Sequence, residues 1–150
     1  MILLSIDVGT VNMACCMYDS AAGQIMFWEV LRVAKRDLCL GVRDLFRDVC
    51  DRIPLERLDR VVVEMQPGRS QKMKSVQHFT HMYFVCRDKP VTIYSARHKL
   101  KNTGLENSGR DNYRARKKAA IHLTRAWLEE RPQAAAFHAL FDGSSKKDDL

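Results

Sequence analysis

Apolar positions recur along this chain with two different periods, and the switch between them marks out the elements. Ile2 to Val8 is a short apolar run that reads as a buried strand, broken by Gly9-Thr10. Met13–Tyr18 and Ile25–Val33 read as two further strands around the turn-forming stretch Asp19-Ser20-Ala21-Ala22-Gly23. The period then lengthens: after Asp37, a natural N-cap, Leu38, Val42, Leu45, Phe46, Val49 and Ile53 follow helical spacing up to Pro54. Arg60–Met65 is a fourth strand, short and apolar enough to be central and parallel, closed by Pro67-Gly68. Val76, Phe79, Tyr83 and Cys86 predict the inner stripe of a second helix ending before Pro90, with Met82 and Phe84 on its exposed face, and Val91–Tyr94 is a fifth strand. Arg97 to Gly109 is a polar loop. Asp111 is placed as the cap of a long helix through Glu130, with Ala119, Leu123, Ala126 and Trp127 inward and Arg114, Lys117, Lys118 and Arg125 outward. Ala134–Phe141 is helical or irregular, and Ser145–Leu150 reads as a helix just begun. An antiparallel meander followed by strand–helix–strand crossovers predicts an α/β fold: a mixed five-stranded sheet with helices on both faces, in one domain over 1–150.

Against this pattern three acidic stretches stand out. Asp7 and Glu64 each close an apolar strand, where a lone charge is costly unless something binds it. Lys146-Lys147-Asp148-Asp149-Leu150 sets adjacent carboxylates at a helix start. Such groups suit divalent cations, which favour hard oxygen ligands. Other accounts of each residue stay open: Asp7 as a cap for the turn at Gly9-Thr10, Glu64 as half of a buried ion pair, and Asp148 as the acid of a capping box begun by Ser145, which leaves Asp149 the better ligand.

The 150 residues carry a net charge of +7 and a pI of about 9.3, which favours a polyanion, nucleic acid ahead of a membrane surface. A phosphodiester is then the natural substrate of a metal site. The basic stretches Arg69, Lys72 and Lys74, and Arg110, Arg114, Lys117 and Lys118, are candidate phosphate contacts, although such runs are often only solvated helix faces. The five cysteines are odd in number, contain no C-x-x-C pair, and read as reduced residues of an intracellular protein. Met1 leads directly into a strand, leaving no signal or transit peptide, and no apolar run reaches membrane-spanning length.

The motifs together resemble the ribonuclease H-like superfamily. Ile6-Asp7-Val8-Gly9-Thr10-Val11-Asn12 resembles the opening of RuvC-like Holliday-junction resolvases, and Glu64-Met65-Gln66-Pro67-Gly68-Arg69-Ser70 with Met73 resembles the poxvirus-type resolvases of large DNA viruses. Lys99-Leu100-Lys101-Asn102-Thr103-Gly104 resembles the segment that places a lysine four residues before Thr-Gly. The resemblance implies a ribonuclease H-like sheet and a homodimer that cuts four-way DNA junctions with Mg²⁺, for which Mn²⁺ substitutes, at the site of viral DNA replication. It assigns Asp7, Glu64 and Asp149, with Asp148 adjacent, to the metals, and Lys99 to the scissile phosphate, with Lys101 as the competing lysine. The family's fourth acid would fall two residues after Leu150, so impaired cleavage is expected of the 150 residues. Two other classes remain open: a junction-binding protein without full catalysis, and a ribonuclease H-type nuclease acting on another substrate.

Overall fold

Apolar side chains at every second position of the strands Ile2–Asp7, Asn12–Asp19 and Arg60–Glu64 build the inner face of the sheet. The computed structural model describes residues 1–34, 37–66, 68–95, 110–131 and 134–144, with backbone alone at 110–113. The chain divides into two compact units, Met1–Ser95 and Ala96–Leu150.

In the first unit, β1 (Ile2–Asp7), β2 (Asn12–Asp19), β3 (Gln24–Arg32), β4 (Arg60–Glu64) and β5 (Val91–Tyr94) form one sheet in the order β3-β2-β1-β4-β5. β1, β2 and β3 are antiparallel neighbours, and β4 and β5 run parallel to β1. This is the expected meander followed by parallel strands. Side chains alternate sides along a strand, so Leu4 and Ile6, Cys15 and Met17, and Val61 and Val63 share one face. Helices α1 (Leu38–Arg52) and α2 (Gln71–Val85) cover that face with Val42, Phe46 and Val49, and with Val76 and Phe84, in a single core.

Both helices start on side-chain caps. The Asp37 carboxylate accepts the Leu40 N–H at 3.0 Å, as its place before an apolar helical period predicts, and the Ser70 hydroxyl accepts the Met73 N–H at 3.4 Å. An aromatic cluster locks the two together. Phe46 lies 5.4 Å from Tyr83 and 5.0 Å edge-on from Phe84, centroid to centroid, within the range where ring pairs add to burial. At the outer edge, Arg52 bridges Glu29 of β3 at 2.8 Å and Asp48 at 3.0 Å.

Two expectations for α2 are corrected. Its buried side carries Val76, Gln77, Thr80, Tyr83 and Phe84, so Phe84 is core and not surface, while Cys86 is exposed. Residues two apart lie about 200° around a helix, given 3.6 residues per turn, so Phe84 and Cys86 cannot share the inner face. Met82 is exposed as expected.

In the second unit, α3 (Arg110–Glu129) is followed by α4 (Ala135–Gly143). Arg125 Nη2 donates to Asp142 Oδ1 at 3.0 Å across the pair, and Arg131 stacks over Trp127 at 4.1 Å. The helix begins at Arg110, so Asp111 falls in the first turn and not at the cap. Leu123, expected inward, is 48% exposed, and Leu128 is the buried leucine instead. Among the described residues, no helix is long and apolar enough to cross a membrane.

All five cysteines are free. Burial pushes the Cys15 thiol far above its ordinary range, with the nearby Cys16 and Cys50 adding to the effect, and raises Cys16 to about 12. Only a thiolate is a good nucleophile. Brief iodoacetamide treatment of the native protein at pH 8 is therefore expected to label the exposed Cys39 and Cys86 well before Cys15, Cys16 and Cys50. Mass spectrometry of the digest reads the order, and early modification of Cys15 would contradict the core described here.

Candidate metal and nucleic-acid site

Asp7 and Glu64 meet through register alone. Ser5 of β1 pairs with Val62 of the parallel strand β4. Two residues on, Asp7 and Glu64 stand level at the carboxyl ends of adjacent strands, on the face opposite the α1–α2 core. Neighbouring strands lie about 4.8 Å apart, so the two carboxyl groups can reach a common point. On either side stand Ala14, paired with Asp7 on β2, and Tyr94, paired with Glu64 on β5. The row Ala14–Asp7–Glu64–Tyr94 thus crosses four strands on one face, with its two acids half-buried at the centre.

The chain around each acid is tightly specified. A Cβ at Gly9 would run into the carbonyl oxygen of Asn12, so only glycine allows the chain to return from β1 to β2 immediately after Asp7. Beyond Glu64, the Met65 N–H donates to the Tyr94 carbonyl at 2.8 Å, which carries the ladder one residue past the strand. The Gln66 N–H then donates to Oε1 of Gln77 in α2 at 2.7 Å, and the Gln66 side-chain amide returns to the Glu64 carbonyl at 3.4 Å.

The donor set fits a hard divalent cation: two carboxylates on one face, able to supply oxygen ligands while water completes the shell. Among the described residues, no three or more acidic, histidine or cysteine side chains are arranged to hold a metal ion together. Asp148 and Asp149 lie outside the described residues, as do Lys99 and Lys101. Arg69 and Lys72 are exposed, and Lys74 half-buried, around the start of α2, which follows the carboxyl end of β4. In the second unit Arg114 and Lys118 are exposed one turn apart on α3, and Lys117 is half-buried. The Arg110 side chain lies outside the described residues.

Tyr94 and Gln77 were not singled out from sequence. The signal for Gln77 was a polar residue within an apolar helical stripe, beside Val76 and one turn before Thr80. Tyr94 had none, because its place beside Glu64 depends on strand pairing.

A mixed sheet of this order is the fold of RuvC-type proteins, and solved structures of that fold superpose on it. The fowlpox virus Holliday junction resolvase matches with a TM-score of 0.63 at 19% identity, over 99% of this chain and 90% of that one. The fowlpox virus resolvase in complex with substrate Holliday junction DNA matches with a TM-score of 0.56 at 22% identity, over 87% of this chain and 77% of the other. T. thermophilus RuvC in complex with a Holliday junction substrate matches with a TM-score of 0.53 at 15% identity, over 89% and 97% of the two chains. Among curated proteins no sequence matches significantly. The family model described as Poxvirus A22 protein matches residues 1–150, and the chain belongs to that family. RuvC-like resolvases in general depend on divalent metals.

Proposed function

We propose that this protein is a structure-selective endonuclease that resolves four-way DNA junctions by paired phosphodiester hydrolysis. The observation that carries the reading is the level placement of Asp7 and Glu64 on one face of a RuvC-type sheet, in a member of the Poxvirus A22 family. Mg²⁺ is the proposed cofactor, with Mn²⁺ as a substitute, and the protein acts as a homodimer where viral DNA replicates. Two symmetric nicks call for two sites related by a twofold axis.

In this reading Asp7 and Glu64 hold the metal from the sheet, and Asp149, with Asp148 beside it, completes the ligand set. Divalent ions held there would supply the positive charge that an in-line displacement at the phosphate needs. Glu64 also orients the attacking water. Lys99, with Lys101 the alternative, places a cation against the charge that develops on the scissile phosphate. Arg69, Lys72 and Lys74 hold backbone phosphates close to the strand ends, and Arg110, Arg114, Lys117 and Lys118 hold others along α3.

A synthetic four-way junction incubated with the protein and Mg²⁺ tests the proposal. The expected products are paired nicks in opposed strands, with duplex and RNA–DNA hybrid of the same sequence left largely intact. Equal cutting of all three substrates, or of the hybrid alone, would overturn it.

Junction affinity should fall steeply with salt, because each phosphate neutralised releases counterions. About six contacts give a log–log slope near −5. The exposed pair Arg114 and Lys118, changed together to alanine, should make the slope shallower by about two units. Filter binding between 50 and 200 mM salt reads this directly, and an unchanged slope would remove both residues from the interface.

A further inference from the structure

Gln77 is one of two buried polar side chains among the described residues, the other being Thr80, and both lie on the face of α2 that otherwise supplies Val76, Tyr83 and Phe84 to the core. Burying an amide costs free energy unless it is hydrogen-bonded, and an apolar side chain would pack in the same place without that cost. What the amide does there is specific. The β4–β5 ladder ends with the Met65 N–H on the Tyr94 carbonyl. The Gln66 N–H is the first donor beyond the ladder, and it meets Gln77 Oε1 at 2.7 Å. Gln66 in turn closes back on the Glu64 carbonyl through its own side chain.

We propose that Gln77 is a positioning residue for Glu64: its buried amide, reaching from α2, fixes the backbone just past the sheet and thereby the direction of the Glu64 carboxylate. The inference rests on the nuclease reading above and deepens it at one ligand. The β4–β5 ladder holds the chain through Glu64 and ends one residue later, at the Met65 N–H. Beyond it Gln77, roughly two turns into α2, ties the Gln66 N–H to a rigid element. Ligand geometry at a reactive site must hold to about 0.5 Å. A displacement near 1 Å can cost about a hundredfold in rate, so a single buried acceptor behind the ligand strand can govern turnover without touching DNA or metal.

Gln77→Met keeps an unbranched side chain of similar length but removes the acceptor. Gln77→Glu keeps a side-chain oxygen in the same place, whether ionised or protonated. In the full chain, Gln77→Met is expected to slow single-turnover junction cleavage by between about tenfold and a hundredfold. Half-saturating Mg²⁺ should rise, and the Gln66 amide should exchange with solvent faster. Junction affinity should change less than about twofold, since it comes from surface Lys and Arg. Gln77→Glu should recover slow exchange at Gln66 and most of the rate.

Cleavage by Gln77→Met within about threefold of the parent would overturn the proposal, being under 1 kcal/mol of barrier. So would parallel losses of rate, affinity and folding that Gln77→Glu does not repair, because those mark a merely structural role. If the parent itself cuts no branched DNA, the nuclease reading fails separately. The positioning claim is then decided by Mn²⁺ calorimetry and Gln66 exchange: weaker binding with faster exchange in Gln77→Met upholds it, and unchanged values overturn it.

Discussion

Asp7→Asn is expected to reduce single-turnover cleavage of a four-way junction about a thousandfold, or ~4 kcal/mol of barrier. The substitution keeps the shape of the side chain and removes the charge that a divalent cation requires. Glu64 stands level with Asp7 on the next strand and is left as the only sheet acid of the row. Junction affinity should stay within about threefold, because phosphate contacts from lysine and arginine dominate it. Folding stability should change by less than about 1 kcal/mol, as for an isosteric change at a half-exposed position. These three readings separate a ligand from a turn cap. If Asp7 only capped the turn at Gly9-Thr10, asparagine would also cap it, and cleavage would stay within about tenfold of the parent. That outcome would remove Asp7 from the site.

Phe46→Ala is expected to destabilise the fold by about 4 kcal/mol, the middle of the range for deleting a buried aromatic ring. Phe46 is fully buried and sits where α1 meets the Tyr83 and Phe84 rings of α2. Its removal leaves a cavity between two helices that are both anchored on the sheet, so relaxation can fill little of it. Against a typical total of 5–15 kcal/mol, the loss is a large share of the stability of such a domain. Urea denaturation with an unchanged m-value measures it. Met82→Ala on the exposed side of α2 is the control and should cost no more than about 0.5 kcal/mol. A Phe46→Ala cost below about 1.5 kcal/mol would mean that the two helices do not share the packed core described here.

Much of the fold was legible in local chemistry. The strands follow from apolar runs, α1 from Asp37 and the spacing of Val42, Phe46 and Val49, and the meander from the turn residues between β2 and β3. These signals act over a few residues, so the sequence states them outright. Asp7 and Glu64 stood out for the same reason: a carboxylate closing an apolar run is locally anomalous. What local pattern could not decide was orientation at the margins. Phe84, Cys86 and Leu123 each went to the opposite side from the one expected. A helix stripe is ambiguous by about one residue, and only the neighbouring surface selects which apolar side chains it takes.

The tertiary structure alone decided three things about the site. Strand register brought Asp7 and Glu64 level and set Ala14 and Tyr94 beside them. The return of the chain to Asn12 turned Gly9 from a plausible strand breaker into a required glycine. The packing of α2 carried Gln77 to the Gln66 amide, joining a helix interior to the residue behind a candidate ligand. Each depends on contacts between segments distant in sequence. The types of side chain needed for metal and phosphate chemistry are therefore written locally, whereas the distances and the second-layer hydrogen bond arise only when the pleated sheet aligns its strands and the helix closes over them.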